Sequence, residues 1–170
     1  WNLTGTNVGV SGYGPLTMNG TGTLTLNSTT STSGATVVNS GTLDVLALHG
    51  LSTGAALTVA AGGTLSGTGP VAGAIEVHGT LSPGNPASHQ MLALPVTFHT
   101  GSKYRWECGL WNGAAQGTDY DFLSTTTLTL TATPADKFTV IVTGTPADFT
   151  ESDKTFTIAS ASAPVTGFDP

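Results

Sequence analysis

Apolar residues recur along this chain in short runs of period two that are separated by glycine-rich corners. In GTLTLNS (22–28) the leucines alternate with polar residues, which is typical of a half-buried β-strand. Reading the same pattern along the chain gives the predicted core: Leu24, Leu26, Val38, Leu43, Val59, Leu65, Val77 and Leu81. No window shows the apolar stripe of an amphipathic helix. The pattern therefore predicts an all-β protein.

One phrase is repeated: an apolar residue, a few small or polar residues, and then Gly-Thr-Leu. It occurs at Gly22, Gly41, Gly63 and Gly79, so the starts lie 19, 22 and 16 residues apart. A repeat of about 20 residues is the mark of a solenoid, in which one coil cannot bury its apolar face alone. The sequence therefore predicts a β-solenoid of roughly eight coils, with like residues stacked from coil to coil.

The residue pattern of the chain changes after Ser82-Pro83-Gly84-Asn85-Pro86. Two prolines and a glycine in this segment predict a break in the strands. The later predicted strands, 95–108, 119–131, 137–144 and 154–162, are longer and more aromatic. We expect one domain, 1–170, with repetitive coils over 1–85. Bulkier, aromatic-rich coils and the C-terminal closure follow over 86–170.

Composition narrows the function classes. Charged residues are 8% of the chain, and with Lys+Arg at 4 and a net charge of -6 there is no basic footprint for nucleic acid. No apolar run reaches the length of a membrane span. The single cysteine, Cys108, excludes a disulfide framework within the chain. Few lysines with much Thr, Gly and Asn indicate an extracellular protein.

The ordered phrases GATVVNSGTL (34–43), GGTLSGTG (62–69), VHGTLSPGN (77–85) and TDYDFL (118–123) resemble the autotransporter-associated β-strand repeat of bacterial passenger proteins. The resemblance covers roughly the first two thirds of the chain. It implies a right-handed parallel β-helix, a location outside the cell or on the bacterial cell surface, and usually no known enzymatic activity. We expect no cofactor.

Asp119 and Asp121 are the first candidates for chemistry, because an i, i+2 spacing on a strand puts both carboxylates on one face. Such a pair is able to bind Ca²⁺ or to act as the acid and base of a polysaccharide enzyme. Without a third acidic ligand nearby, we interpret them instead as two solvated, outward carboxylates.

The histidines and the cysteine offer little further chemistry. His49, His78, His89 and His99 are scattered, so we predict no metal site, and His78 should point out of its coil. Cys108 lies nine residues after His99, a spacing that permits a nucleophile pair, but a small buried thiol is the favoured interpretation.

Strand 103–106 alternates Lys103 and Arg105 with Tyr104 and Trp106, which predicts a half-buried strand. The alternative is an aromatic surface that contacts a glycan, formed by Tyr104, Trp106 and Trp111. We therefore predict no catalytic, metal or cofactor-binding residues, and only these three as glycan contacts.

The function favoured by the sequence is a non-enzymatic extracellular structural module, such as an adhesin or passenger stalk. The alternative is a carbohydrate-binding or polysaccharide-degrading β-helix domain. Because open strand edges at the two ends of a solenoid invite pairing, the predicted partner is a second copy, joined head-to-tail into a fibre. If the chain is part of a longer protein, neighbouring repeats take that place.

Overall fold

The computed structural model describes residues 11–12, 14–27, 30–32, 34–46, 51–53, 55–84 and 90–167. Within these ranges the chain forms strands, turns and bends without any helix, which confirms the all-β prediction. The first nine strands are Ser11–Gly12 (β1), Leu16–Met18 (β2), Thr23–Leu26 (β3), Thr30–Thr32 (β4), Thr36–Val45 (β5), Leu51–Thr53 (β6), Leu57–Gly67 (β7), Val71–Ala72 (β8) and Ile75–Val77 (β9). The other eight are Thr80–Pro83 (β10), Gln90–Ala93 (β11), Val96–Phe98 (β12), Lys103–Glu107 (β13), Phe122–Thr125 (β14), Leu128–Leu130 (β15), Thr139–Thr143 (β16) and Ala159–Ala161 (β17).

The strands assemble into two parallel sheets. A seven-stranded sheet has the order β1-β4-β6-β8-β11-β14-β17, and a ten-stranded sheet follows β15-β12-β9-β7-β10-β13-β16, with β2, β3 and β5 joined to it through β5 and β7. In both sheets a strand pairs with the strand from the preceding and the following repeat of the chain. Parallel pairing between successive repeats is consistent with a β-solenoid.

The repeated phrases place like residues on like along the core. One row runs through Val38, Val59 and Val77, and a second through Leu43, Leu65 and Leu81. The eight predicted core residues are all buried: Leu24, Leu26, Val38, Leu43, Val59, Leu65, Val77 and Leu81. Both rows become aromatic in the C-terminal part, where Phe98 follows Val77 and Tyr104 follows Leu81.

The predicted corner at Asn39-Ser40-Gly41 lies within a single strand, β5, rather than between two strands. The pairing of β5 with β7 shifts register between Val38 and Ser40, and Gly41 has a φ of 76°. A bulge bends a strand without ending its ladder. The chain therefore turns at this point while its backbone bonds continue.

The predicted break at Ser82-Pro83 is wrong by two residues, because β10 continues through Pro83. Ser82 pairs with Ser66 and Pro83 with Gly67, whereas on its other side β10 pairs with β13 only at Thr80 and Leu81. A proline is tolerated here because one side of the strand end is free of a ladder partner. The chain turns at the next residue, Gly84, whose φ is 100°.

The aromatic C-terminal strands are shorter than the sequence predicts. The expected strand 95–108 is divided into β12 and β13 by a turn at His99–Ser102, where Gly101 has a φ of 71°. In the described part of the chain no helix is long and apolar enough to cross a membrane.

Candidate functional site

The aromatic residues proposed to contact a glycan do not form an exposed surface. The strand alternates as predicted, with Lys103 and Arg105 exposed, but Tyr104 is 2% and Trp106 5% exposed. Tyr104 donates a hydrogen bond to the carbonyl oxygen of Ile158 at 2.8 Å, and burial raises the pKa of its hydroxyl. The prediction is therefore wrong for these two rings, since a ring packed in the core has no face for a sugar.

Trp111, the third predicted glycan contact, is half-buried in an aromatic cluster of the last coils. Its ring centroid lies 4.9 Å from that of Phe149 and 5.5 Å from that of Phe156. Phe156 also packs on Trp106 and Tyr120, at 5.1 and 4.9 Å. These tilted and edge-on contacts are the arrangement that aromatic side chains prefer in a core. We therefore assign Trp111 to packing.

Asp148 positions Trp111 by binding the backbone that precedes its ring. The carboxylate accepts hydrogen bonds from the N–H groups of Trp111 at 2.6 Å and Asn112 at 2.8 Å. The Asn112 side chain donates in return to the Asp148 carbonyl oxygen at 2.8 Å. The Asn112 N–H is the main cause that lowers the pKa of Asp148. Sequence reasoning missed this residue because its partners are 36 and 37 residues away.

Asp119 and Asp121 do not share a strand face, so the prediction of two outward carboxylates is wrong. Asp119 lies in a turn, where its Oδ2 accepts the N–H of Ala115 at 2.9 Å. Its carbonyl oxygen accepts the N–H groups of Gly109 and Leu110. Aspartate side chains commonly accept a hydrogen bond from a backbone N–H a few residues away in turns of this kind. Asp119 therefore shapes the loop between β13 and β14.

Asp121 is a buried acid, with only 3% of its surface exposed. Its Oδ2 accepts the N–H of Glu107 at 2.9 Å. Its own N–H donates to the Glu107 carbonyl oxygen, and its carbonyl oxygen accepts the indole N–H of Trp106. Its Oδ1 lies against Gly84, at a place that a Cβ on residue 84 would occupy. The Gly84 corner therefore packs directly on this carboxyl group.

Burial raises the pKa of Asp121 to about 7. The Glu107 N–H opposes this shift by stabilising the carboxylate, and the Glu107 side-chain charge adds to it. A perturbed acid is a marker of functional sites, but structural networks also produce one. The neighbours of the Asp121 carboxyl group are backbone groups and core side chains. We therefore assign Asp121 a structural role, which is to join the Gly84 corner to the Glu107 backbone.

His78 and His99 come together on the outer surface of adjacent coils. Their rings stack with centroids 4.0 Å apart and planes 5° from parallel, and His78 is exposed as predicted. His99 Nε2 lies 2.7 Å from Glu76 Oε2, and its Nδ1 is 3.4 Å from the Thr131 hydroxyl. Stacked imidazoles direct their nitrogens side by side rather than toward a common point. The group therefore ties neighbouring coils together.

The remaining predicted candidates add no chemistry. His49 and His89 lie outside the described residues. Across the residues that are described, no three His, Cys, Asp or Glu side chains are arranged to hold a metal ion. Cys108 is a buried free thiol, as favoured from the sequence, and burial raises its pKa, so it is a poor nucleophile at neutral pH.

In the part of the chain that the structure describes, β15, β16 and β17 are the last strands of their sheets. A cavity of about 170 Å³ lies there, lined by apolar parts of Phe98, Tyr104, Leu123, Leu128, Leu130, Phe138, Ile158, Ala159 and Val165. On β16, which pairs with the Tyr104 strand, Val140 is 39% and Val142 69% exposed. The β-branched run Thr139–Thr143 was visible in the sequence, but only the sheet order shows that it is the outermost strand.

The structure thus has four features of interest: the buried Asp121 carboxyl group, the aromatic cluster around Phe156, the surface pair of histidines, and the apolar cavity at the last strands. None of the first three leaves an accessible reactive group beside a cleft. Comparison with family models, with curated proteins and with solved structures found no match to this chain.

Proposed function

We propose that this chain is a non-enzymatic structural module of a bacterial surface protein, built as a right-handed parallel β-helix of roughly eight coils. The observation that carries the proposal is the stacking of like residues, valine on valine and leucine on leucine, from one repeat to the next. Identical side chains in one row keep successive coils the same size, and such a stack is straight and stiff. The hand and the extracellular location rest on the resemblance of the repeats to the autotransporter-associated repeat.

The outer surface supports a structural role. A row of threonines, Thr23, Thr42, Thr64 and Thr80, runs across neighbouring strands on the side opposite the leucine row. Threonine suits a pleated surface because it is β-branched, and its hydroxyl remains available to water. A row of uncharged polar side chains on the outer surface is appropriate to a spacer or stalk outside the cell.

The acidic residues also support a non-enzymatic role. Asp119, Asp121 and Asp148 each accept hydrogen bonds from backbone amides. A carboxylate used in this way fixes loop geometry, whereas an acid–base pair for glycoside hydrolysis must flank an accessible bond. The alternative of a carbohydrate-binding or polysaccharide-degrading domain also loses its best ring candidates, since Tyr104 and Trp106 are buried.

The proposal is tested by particle shape together with a turnover assay. Small-angle scattering and negative-stain microscopy should show an elongated particle, roughly 40 Å long for eight coils at about 4.8 Å each. Incubation with a panel of neutral and uronate polysaccharides should release no product above the blank. Turnover that Asp121→Asn abolishes, or a particle with equal axes, would contradict the structural role.

A further inference from the structure

Strand β16 presents a free backbone edge. It pairs with β13 on one side and is the last strand of the ten-stranded sheet in the part of the chain that the structure describes. Toward β13, the Thr139 N–H donates to Ser102 and the Thr143 carbonyl accepts from Cys108. Because neighbouring residues of a strand direct their amides to opposite sides, Val140 and Val142 direct theirs away from β13. This edge is a template for another strand.

The exposed side chains of β16 continue the buried rows of the preceding strand. Val140 is in register with Tyr104 and Val142 with Trp106, and both aromatic residues are buried. On β16 the same positions are exposed, and Tyr104, the ladder partner of Val140, lines the apolar cavity. A strand added to this edge would therefore cover Val140 and Val142 as well as satisfy their amides.

The sequence of β16 reads the same in both directions, Thr-Val-Ile-Val-Thr. In an antiparallel pair of two such strands centred on Ile141, Val140 of one copy faces Val142 of the other. These are the residues with outward amides, so they form the hydrogen-bonded pairs that an antiparallel ladder requires. Ile141 faces Ile141, and no charged residue opposes another.

Within the described residues the opposite end of the stack also has edge strands, since β1 pairs only with β4, and β2 and β3 pair only with β5. Leu16, Leu24 and Leu26 there are 8%, 3% and 0% exposed, so these strands present less apolar surface than β16. A head-to-tail fibre needs two different surfaces that fit each other, whereas a two-fold dimer needs one self-complementary surface. The β16 edge is such a surface.

We propose that β16 pairs antiparallel with β16 of a second copy of this chain, about a two-fold axis through Ile141. This inference rests on the proposed structural function and names its partner. It replaces head-to-tail stacking by a tail-to-tail contact in which two stacks share one continuous sheet.

Cysteine cross-linking tests the register. Ile141→Cys should give a disulfide-linked dimer under mild oxidation, because non-hydrogen-bonded antiparallel partners have Cα atoms about 4.5 Å apart, within disulfide range. Thr139→Cys alone should remain monomeric on a non-reducing gel, since its opposite residue is Thr143. A mixture of Thr139→Cys and Thr143→Cys should form the mixed dimer. Wild type, with Cys108 buried, is the control for adventitious oxidation.

Sedimentation tests the contact without a cross-link. Wild type should show a concentration-dependent monomer–dimer equilibrium, which Val142→Lys shifts to monomer while its Tm remains that of the wild-type monomer. Leu92→Lys is the matched control, because Leu92 is 48% exposed on β11, which has a neighbour on each side. It should leave the equilibrium unchanged.

Three results would overturn the dimer: a wild-type monomer at all concentrations, filaments, or equal cross-linking of Ile141→Cys and Thr139→Cys. An elongated monomer would remove the dimer and leave the structural role in place. Polysaccharide turnover would remove the structural role and leave the cross-linking result in place.

Discussion

Asp121 shows how one residue in this protein differs from the behaviour that its local sequence indicates. A carboxylate in TDYDFL is expected to face water, yet its surroundings are Gly84, Glu107 and the Trp106 indole. Transfer of a charge out of water is unfavourable, so the folded chain favours the protonated form. Folding and the binding of a proton to Asp121 are therefore coupled.

The stability of this protein should fall as the pH rises from about 4 to above 7. The pKa of Asp121 in the folded chain is about 7, against about 3.9 for an unfolded aspartate, so the folded state binds the extra proton between these values. The stabilisation is complete below about pH 4 and is lost as the pH passes 7. A shift of about 3 units corresponds to at most about 4 kcal/mol.

The measurement is Tm across this pH range for wild type and Asp121→Asn. The amide carries no proton equilibrium, so the Tm of the variant should be less dependent on pH in this window. Its Tm at pH 8 should equal or exceed that of wild type. A wild-type Tm that is flat or rises between pH 5 and 8, with the same profile in the variant, would show that Asp121 does not titrate with folding.

At the scale of the element, close contact between coils at the glycine corners controls the stack. Gly67 ends β7 with a φ of 108°, and a Cβ at this position would meet the carbonyl oxygen of Val45 in the preceding coil. Gly22 begins the first repeat, and a Cβ there would meet nothing within 4 Å. Two glycines of similar sequence context thus have different structural requirements.

Gly67→Ala should destabilise the protein by about 1–3 kcal/mol or more, because it combines an unfavourable φ with a backbone clash. Gly22→Ala should change stability by less than about 1 kcal/mol. Urea unfolding of both variants checks the difference. Equal midpoints for the two alanine variants would show that coil spacing does not depend on the Gly67 corner.

At the scale of the whole molecule, each repeat of strands pairs with the repeats before and after it in the chain. β5 and β7 have neighbours on both sides, whereas β15, β16 and β17 stand at the edges of their sheets. In a stack of this kind stability is a sum over coils and their interfaces, so local opening is easiest at a free end.

Amide hydrogen exchange should therefore be slowest in β5 and β7 and fastest in the edge strands, β16 among them, of the monomeric protein. The outward amides of residues 140 and 142 should exchange without measurable protection in the Val142→Lys variant. They should gain protection in wild type at concentrations where the dimer forms. Uniform exchange across all strands would indicate a single cooperative unit in place of a stack of coils.

The sequence by itself determined the class of structure. The period-two alternation at Leu24 and Leu26 and the repeated Gly-Thr-Leu phrase were sufficient for strands and their buried faces, because these follow from local geometry and from the spacing of one coil to the next. The same rules failed at Pro83, which lies in β10 although a central strand normally excludes proline. Pro83 is tolerated because it pairs with Gly67 on one side and has no ladder partner in β13 on the other.

Only the tertiary structure decided the roles of the remaining candidates. Tyr104 and Trp106 had an alternating pattern that fits a core as well as a binding surface, and Ile158 and Phe156, about 50 residues later, place them in the core. Asp121 became a buried acid through Gly84 and Glu107, and β16 became an edge through the order of the sheet. Such properties depend on which distant segments meet, and a local pattern of apolar and polar residues contains no record of those contacts.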